Sequence, residues 1–129
     1  MSRSRLNTGG FEEYLEKLAK AGADIDSITD EALSAGGEIL EAGIVSRAPE
    51  ETGHLKSRIQ LIGPVNSGSF HYVEIGLFNI DRKKELYFFY QENGSPRNTA
   101  HPFIRPTFNV DMKNAREKMK EILKARGAI

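Results

Sequence analysis

Hydrophobic positions recur along the chain in two rhythms, and these divide it into elements. In "FEEYLEKLAKAG", Phe11, Tyr14, Leu15 and Leu18 stand at helical spacing, with Glu and Lys between them. The pattern predicts a short amphipathic helix, capped by Asn7 or Thr8 and ended by Gly22. "DSITDEALSAGGEILEAGIVSRAPE" predicts a longer helix, capped by Asp26 or Ser27 and stopped near Pro49. Ile25, Ile28, Ala32, Ala35, Ile39 and Ala42 form its stripe, widened by Leu33, Leu40 and Ile44. Gly36, Gly37 and Gly43 lie inside that pattern, where each glycine costs about 1 kcal/mol relative to alanine. Two readings fit them: another element crosses the helix closely, or the helix is locally weak.

The rhythm then changes. Pro49 and Gly53 mark a loop. "SRIQLI" alternates, with Ile59 and Leu61 on one face and Arg58 and Gln60 on the other. "GPVNSGS" is rich in turn residues. "FHYVEIGLF" alternates again, with Val73, Ile75 and Leu77 opposite Phe70 and Tyr72. Two such runs joined by a turn-rich segment predict an antiparallel hairpin. "ELYFFYQENG" is ambiguous: Leu86, Phe89 and Tyr90 fit a helix, while the aromatics favour a strand, so the conformation of 86–91 stays open. Residues 79–85 and 94–101 read as polar loops, and 1–9 as a flexible N-terminal tail.

"RPTFNVDMKNAREKMKEILKARG" returns to helical spacing through Phe108, Met112, Ala115, Met119 and Ile122. Pro106 suits the first turn, Asp111 and Lys124 complement the dipole, and Gly127 ends it. Strands clustered between helices predict one α+β domain over 1–129: a small antiparallel sheet with the N-terminal helices and the long C-terminal helix packed on it.

Composition narrows the chemistry. Lys+Arg and Asp+Glu both number 18, so the chain-wide basic field of a typical nucleic-acid binder is absent. With no cysteine, disulfides, thiolate nucleophiles and Cys-based metal sites are excluded. No apolar run approaches the roughly 20 residues that span a bilayer, and no signal peptide is visible, so the expectation is no membrane association. His54, His71 and His101 are scattered, and Glu50, Glu51 and His54 match no metal motif. No G-x-S-x-G elbow or phosphate loop occurs. A hydrolase built on His71 or His101 is the weakest alternative. The expectation is no catalytic residue, no metal and no cofactor.

One basic cluster stands out. Arg82, Lys83 and Lys84 lie beside Tyr87, Phe88 and Tyr90, so the region 82–90 is a candidate nucleic-acid contact, with bases stacking on the rings. Core aromatics under a charged turn is the simpler reading. A neutral chain gains little affinity from counterion release.

The stretch "HPFIRPTF" sits just before the C-terminal helix. Pro102 holds His101 extended, Phe103 and Ile104 turn toward the body, and Pro106 starts the helix. Arg105 is left to reach a carboxylate such as Glu92, or a neighbouring subunit.

Three blocks in order carry a family resemblance. "GGFEEYLEKLAKAG", "APEETGHLKSRI" and "YFFYQENGSPRNTAHPFIRPTF" together resemble the small tail-component proteins of long-tailed double-stranded-DNA bacteriophages, also called tail-completion, neck or head–tail joining proteins. The matching positions are Pro49, Thr52, Gly53, Leu55, Ser57 and Ile59. In the last block they are Tyr90, Glu92, Gly94, Ser95, Ala100, Pro102, Phe103, Arg105 and Pro106. Arg58, between Ser57 and Ile59, departs from the pattern, as does Asn93 before Gly94. The resemblance implies a non-enzymatic structural protein of a virion or prophage, assembled in the host bacterial cytoplasm. It implies a homo-oligomeric ring, a hexamer by analogy, between the connector or head-completion protein and the tail tube protein, with weak DNA contact in the lumen. The candidate subunit or partner interface comprises the matching Thr52, Gly53, Leu55, Glu92, Gly94, Ser95 and Arg105, with Arg97 and His101 from the intervening loop.

Overall fold

The computed structural model describes residues 3–48, 58–67, 70–77, 83, 89–90, 92–96, 99–100 and 102–128. Its central element is the long helix. In chain order come β1 (Arg3–Asn7), α1 (Glu12–Lys20), α2 (Ile25–Arg47), β2 (Ile59–Ser67), β3 (Phe70–Leu77) and α3 (Ile104–Leu123). The strands form one antiparallel sheet in the order β1-β3-β2. Helix α2 packs on one face of this sheet, and α3 packs chiefly on α2. The fold is α+β, as the alternating and helical rhythms predict.

This layering explains why α2 is apolar on several sides, as a helix buried between layers should be. Its glycines mark the two contacts. A Cβ on Gly36 would lie 2.9 Å from Met119 Cγ of α3 and 3.0 Å from Leu6 Cδ2 of β1. A Cβ on Gly37 would lie 2.8 Å from Leu61 Cδ1 and 3.0 Å from Val73 Cγ2, both in the sheet. A Cβ on Gly43 would lie on Thr107 and on the Asp111 carboxylate of α3. Of the two readings of these glycines, close crossing is the one observed. The pairs Gly36–Met119 and Gly43–Thr107 also show that α2 and α3 run antiparallel.

The sheet turns Leu6, Ile59, Val73 and Ile75 into the core with Leu33, Leu40, Ile44, Phe103, Ala115, Met119 and Leu123. On its other face, Arg5 stacks on the Tyr72 ring at 4.3 Å and pairs with Glu74 at 3.1 Å. Helix α1 inserts Leu18 and lies against the turn at residues 124–128, where Gly127 (φ 111°) breaks the helical path.

Four local expectations change. The first nine residues do not read as a tail: Arg3–Asn7 pairs along β3, and Leu6, opposite Val73, is 2% exposed. With one apolar residue in five, that strand leaves almost no alternating signal. Asn7 and Thr8 do not cap α1. The Asn7 side chain accepts from Gly9 N, the Thr8 carbonyl accepts from Phe11 N, and the position before α1 is Phe11. Helix α2 is capped by Asp24, whose side chain accepts from Ser27 N at 3.2 Å, two residues ahead of the expected cap. Finally, Gly63 and Pro64 do not end the strand. They form a bulge opposite Val73, across a cis peptide bond, and β2 continues to Ser67. An edge strand accommodates proline at a bulge, and Gly63 supplies the positive φ of 115°. The loop at 49–57, the connector at 78–82 and residues 84–88 lie outside the described residues.

Candidate functional site

The first turn of a helix leaves backbone N–H groups without intrahelical partners. In α3 those groups belong to "FIR", and they are met by Glu92. One carboxylate oxygen accepts from Phe103 N and Ile104 N, each at 2.9 Å, and the other accepts from Arg105 N at 2.9 Å. The Arg105 side chain closes the arrangement from outside: its Nε lies 3.5 Å from the same carboxylate, and its Nη2 donates to the Glu92 carbonyl at 2.8 Å. Burial alone raises the Glu92 carboxyl pKa. The N–H groups of Arg105, Ile104 and Phe103, with the Arg105 side chain, outweigh that and hold it below the ordinary glutamate value. Two residues on, Gly94 takes φ 82° and donates its N–H to the Tyr90 carbonyl at 2.7 Å, ending a helical turn as C-terminal glycines do. The "ENG" sequence is therefore a brace followed by a reversal.

A second polar cluster locks α3 to α2. Arg47 Nη1 donates to Asp111 Oδ2 at 2.7 Å, to Thr107 Oγ1 at 3.1 Å and to the Gly43 carbonyl at 3.3 Å. Thr107 in turn donates to the Phe103 carbonyl at 2.8 Å. Gly43 makes room for this: any side chain there would occupy the space of the Asp111 carboxylate. No sequence pattern joins Arg47, Thr107 and Asp111. Arg47 in a last turn and Asp111 early in α3 each look like a complement to its own helix dipole. Nothing local pairs two residues 64 apart.

The third feature is an open groove of about 420 Å³ between the start of α1 and the outer side of α3. Phe11 and Tyr14 form one wall, and Lys113, Arg116, Glu117 and Lys120 the other. The Arg116 guanidinium sits 4.7 Å from the Phe11 ring centre and donates to the Gly9 carbonyl, so it is fixed as part of the wall.

The structure brings together only some of the residues expected at an interface. Glu92 and Arg105 meet, as one reading of Arg105 anticipates, and Glu92 is turned inward at 9% exposed. Gly94 and the half-buried Ser95 follow in the same segment. Thr52, Gly53, Leu55, Arg97 and His101 lie outside the described residues, as do Arg82 and Lys84; Lys83 is exposed. Among the described residues, no group of His, Asp or Glu could hold a metal ion, and no helix is long and apolar enough to cross a membrane.

Comparison with known families gives a match. Residues 10–94 fit the family described as "Bacteriophage HK97-gp10, putative tail-component". Comparison with curated proteins and with solved structures returned no match. The matched span runs from the start of the α1 region to Gly94, taking in the sheet hairpin and Glu92 but ending before α3 and the N–H groups that Glu92 accepts. It covers most of the chain, and the chain therefore belongs to the HK97-gp10-like family of bacteriophage tail components.

Proposed function

We propose that this tail component acts without catalysis, by forming a homo-oligomeric ring at the head–tail junction. There it joins the connector or head-completion protein to the tail tube protein. The family match over 10–94 is the observation that carries this reading. The geometry supports it in a specific way. The Glu92 brace and the Arg47 clamp both tie α3 into the body from inside, which makes a rigid block. A ring needs such a block, because a heterologous interface closes only if each subunit repeats the same rotation.

In this reading Thr52, Gly53, Leu55, Ser95, Arg97 and His101 meet neighbouring subunits or partners, and Arg105 contributes from the exposed start of α3. Glu92 holds Arg105 and the start of α3 in place from behind. Any DNA in the lumen meets Lys83 and its neighbours weakly and without sequence preference. The test is native mass spectrometry of the protein with purified connector and purified tail tube. A ring-sized oligomer that binds either partner is expected. A monomer that ignores both would overturn the reading.

A further inference from the structure

The chain is neutral as a whole, with 18 positive and 18 negative side chains, and among the described residues several exposed helix charges make no ion pair. On α2, Glu38 is exposed and Glu41 half-exposed, and neither makes an ion pair among the described residues. In the same turn Ile39 and Leu40 pack toward the core, and Ala42 is exposed beside the two glutamates. On α3, Lys113 and Lys120 are exposed on the wall of the groove, and they too make no ion pair among the described residues. Some surface charges are paired within the chain: Arg5 with Glu74, Lys20 with Glu16 and Arg126 with Glu31. Glu13, Lys17, Lys118 and Glu121 are exposed and, like Glu38, Glu41, Lys113 and Lys120, make no ion pair among the described residues. An acidic strip and a basic, aromatic groove are thus left open on different parts of one molecule.

We propose that the groove between α1 and α3 seats the acidic strip of α2 from a second copy of this chain. The spacing fits. Glu38 and Glu41 are about 4.5 Å apart along the helix axis, and Lys113 and Lys120 about 10.5 Å. Lysine's flexible stem lets Lys113 and Lys120 reach the incoming carboxylates from either side of Glu117. Glu117 lies in the same wall and reduces the lining to three cations against one anion, which keeps the sign positive. Tyr14, half-exposed on the wall beside the buried Phe11, supplies the apolar contact against which a small residue such as Ala42 packs. Because strip and groove are different surfaces, the contact is head-to-tail and propagates, as a ring requires. The proposal rests on the ring reading and specifies its contact.

Sedimentation velocity on the full chain tests it, with wild type, K113E/K120E, E38K/E41K, an equimolar mixture of the two variants, and the quadruple variant. The wild type assembles, and more weakly at about 500 mM salt than at about 50 mM, since the Debye length shrinks across that range. Each double variant places like charges face to face and associates about a hundredfold more weakly or worse. The mixture and the quadruple variant restore opposite charges at every contact and assemble again. That rescue also shows that the double variants were folded. If the wild type assembles and the double variants assemble equally well, this contact is wrong and the ring reading stands. If the wild type stays monomeric at low salt and high concentration, this contact is overturned, and the ring reading is decided separately by the mixture with connector and tail tube.

Discussion

Glu92 accepts three backbone N–H groups at the start of α3 while Arg105, one of the three donors, reaches back to the Glu92 carbonyl at 2.8 Å. The contact crosses 13 residues of chain and fixes where the C-terminal helix begins. It also dictates how the protein responds to acid. The folded-state pKa of Glu92 is depressed, so its contribution is complete above the unfolded value, about 4.3. That contribution is lost as pH falls through the lower folded value. Glu92→Gln keeps one acceptor oxygen and removes the charge. It should lower Tm at pH 7 and flatten the dependence of Tm on pH below about 4.5 relative to wild type. Parallel Tm–pH curves for the two proteins would contradict the assignment.

Removing the side chain altogether is harsher. Glu92→Ala leaves three N–H groups at a helix start without acceptors, and a lost cap alone costs about 0.5–2 kcal/mol. Urea denaturation should show a loss of about 2 kcal/mol or more, and a loss below about 0.5 would mean that the brace is ornamental.

Gly36→Ala should destabilise, although alanine is the better helix former by about 1 kcal/mol. The added methyl would meet Met119 at 2.9 Å and Leu6 at 3.0 Å, both almost fully buried. Overpacking of this kind costs about 1–3 kcal/mol. A stabilised variant in the same urea titration would show that α2, Met119 and Leu6 are not in close contact.

Much of this was legible before the structure, and what was not has a physical reason. The helical stripes, the hairpin and the C-terminal helix announce themselves because one face of each is apolar. The three glycines in α2 leave a close crossing as one of two readings, and only the contacts at Met119, Leu61 and Thr107 decide for it. Arg105 and Glu92 could be paired because both stand in one short block. Strand β1 was missed because an edge strand needs only Leu6 inside and leaves Arg5 and Asn7 in solvent. The bulge at Gly63 and Pro64 was read as a turn because both require the same residue types. The Arg47–Asp111 clamp was invisible because it joins two helices across 64 residues.

Phe103 is fully buried, so the "HPF" block is a packing anchor as well as a helix entry. Phe103→Ala should cost about 3–5 kcal/mol in chemical denaturation, the range for core phenylalanines. A cost under about 1 kcal/mol would place the ring at a surface instead.

The clamp is best tested by a double-mutant cycle. Arg47→Met, Asp111→Asn and the pair together should give a coupling energy of about 1 kcal/mol, because the guanidinium is 30% and the carboxylate 18% exposed. Additive losses would mean that the two side chains act independently.

The central claim is that this tail component completes the joint between head and tail. The most direct measurement is electron microscopy of particles made by the parent phage with this gene deleted, with and without the gene supplied in trans. DNA-filled heads and separate tails, restored to whole particles by complementation, are the predicted result. Complete, infectious particles in the deletion lysate would contradict it.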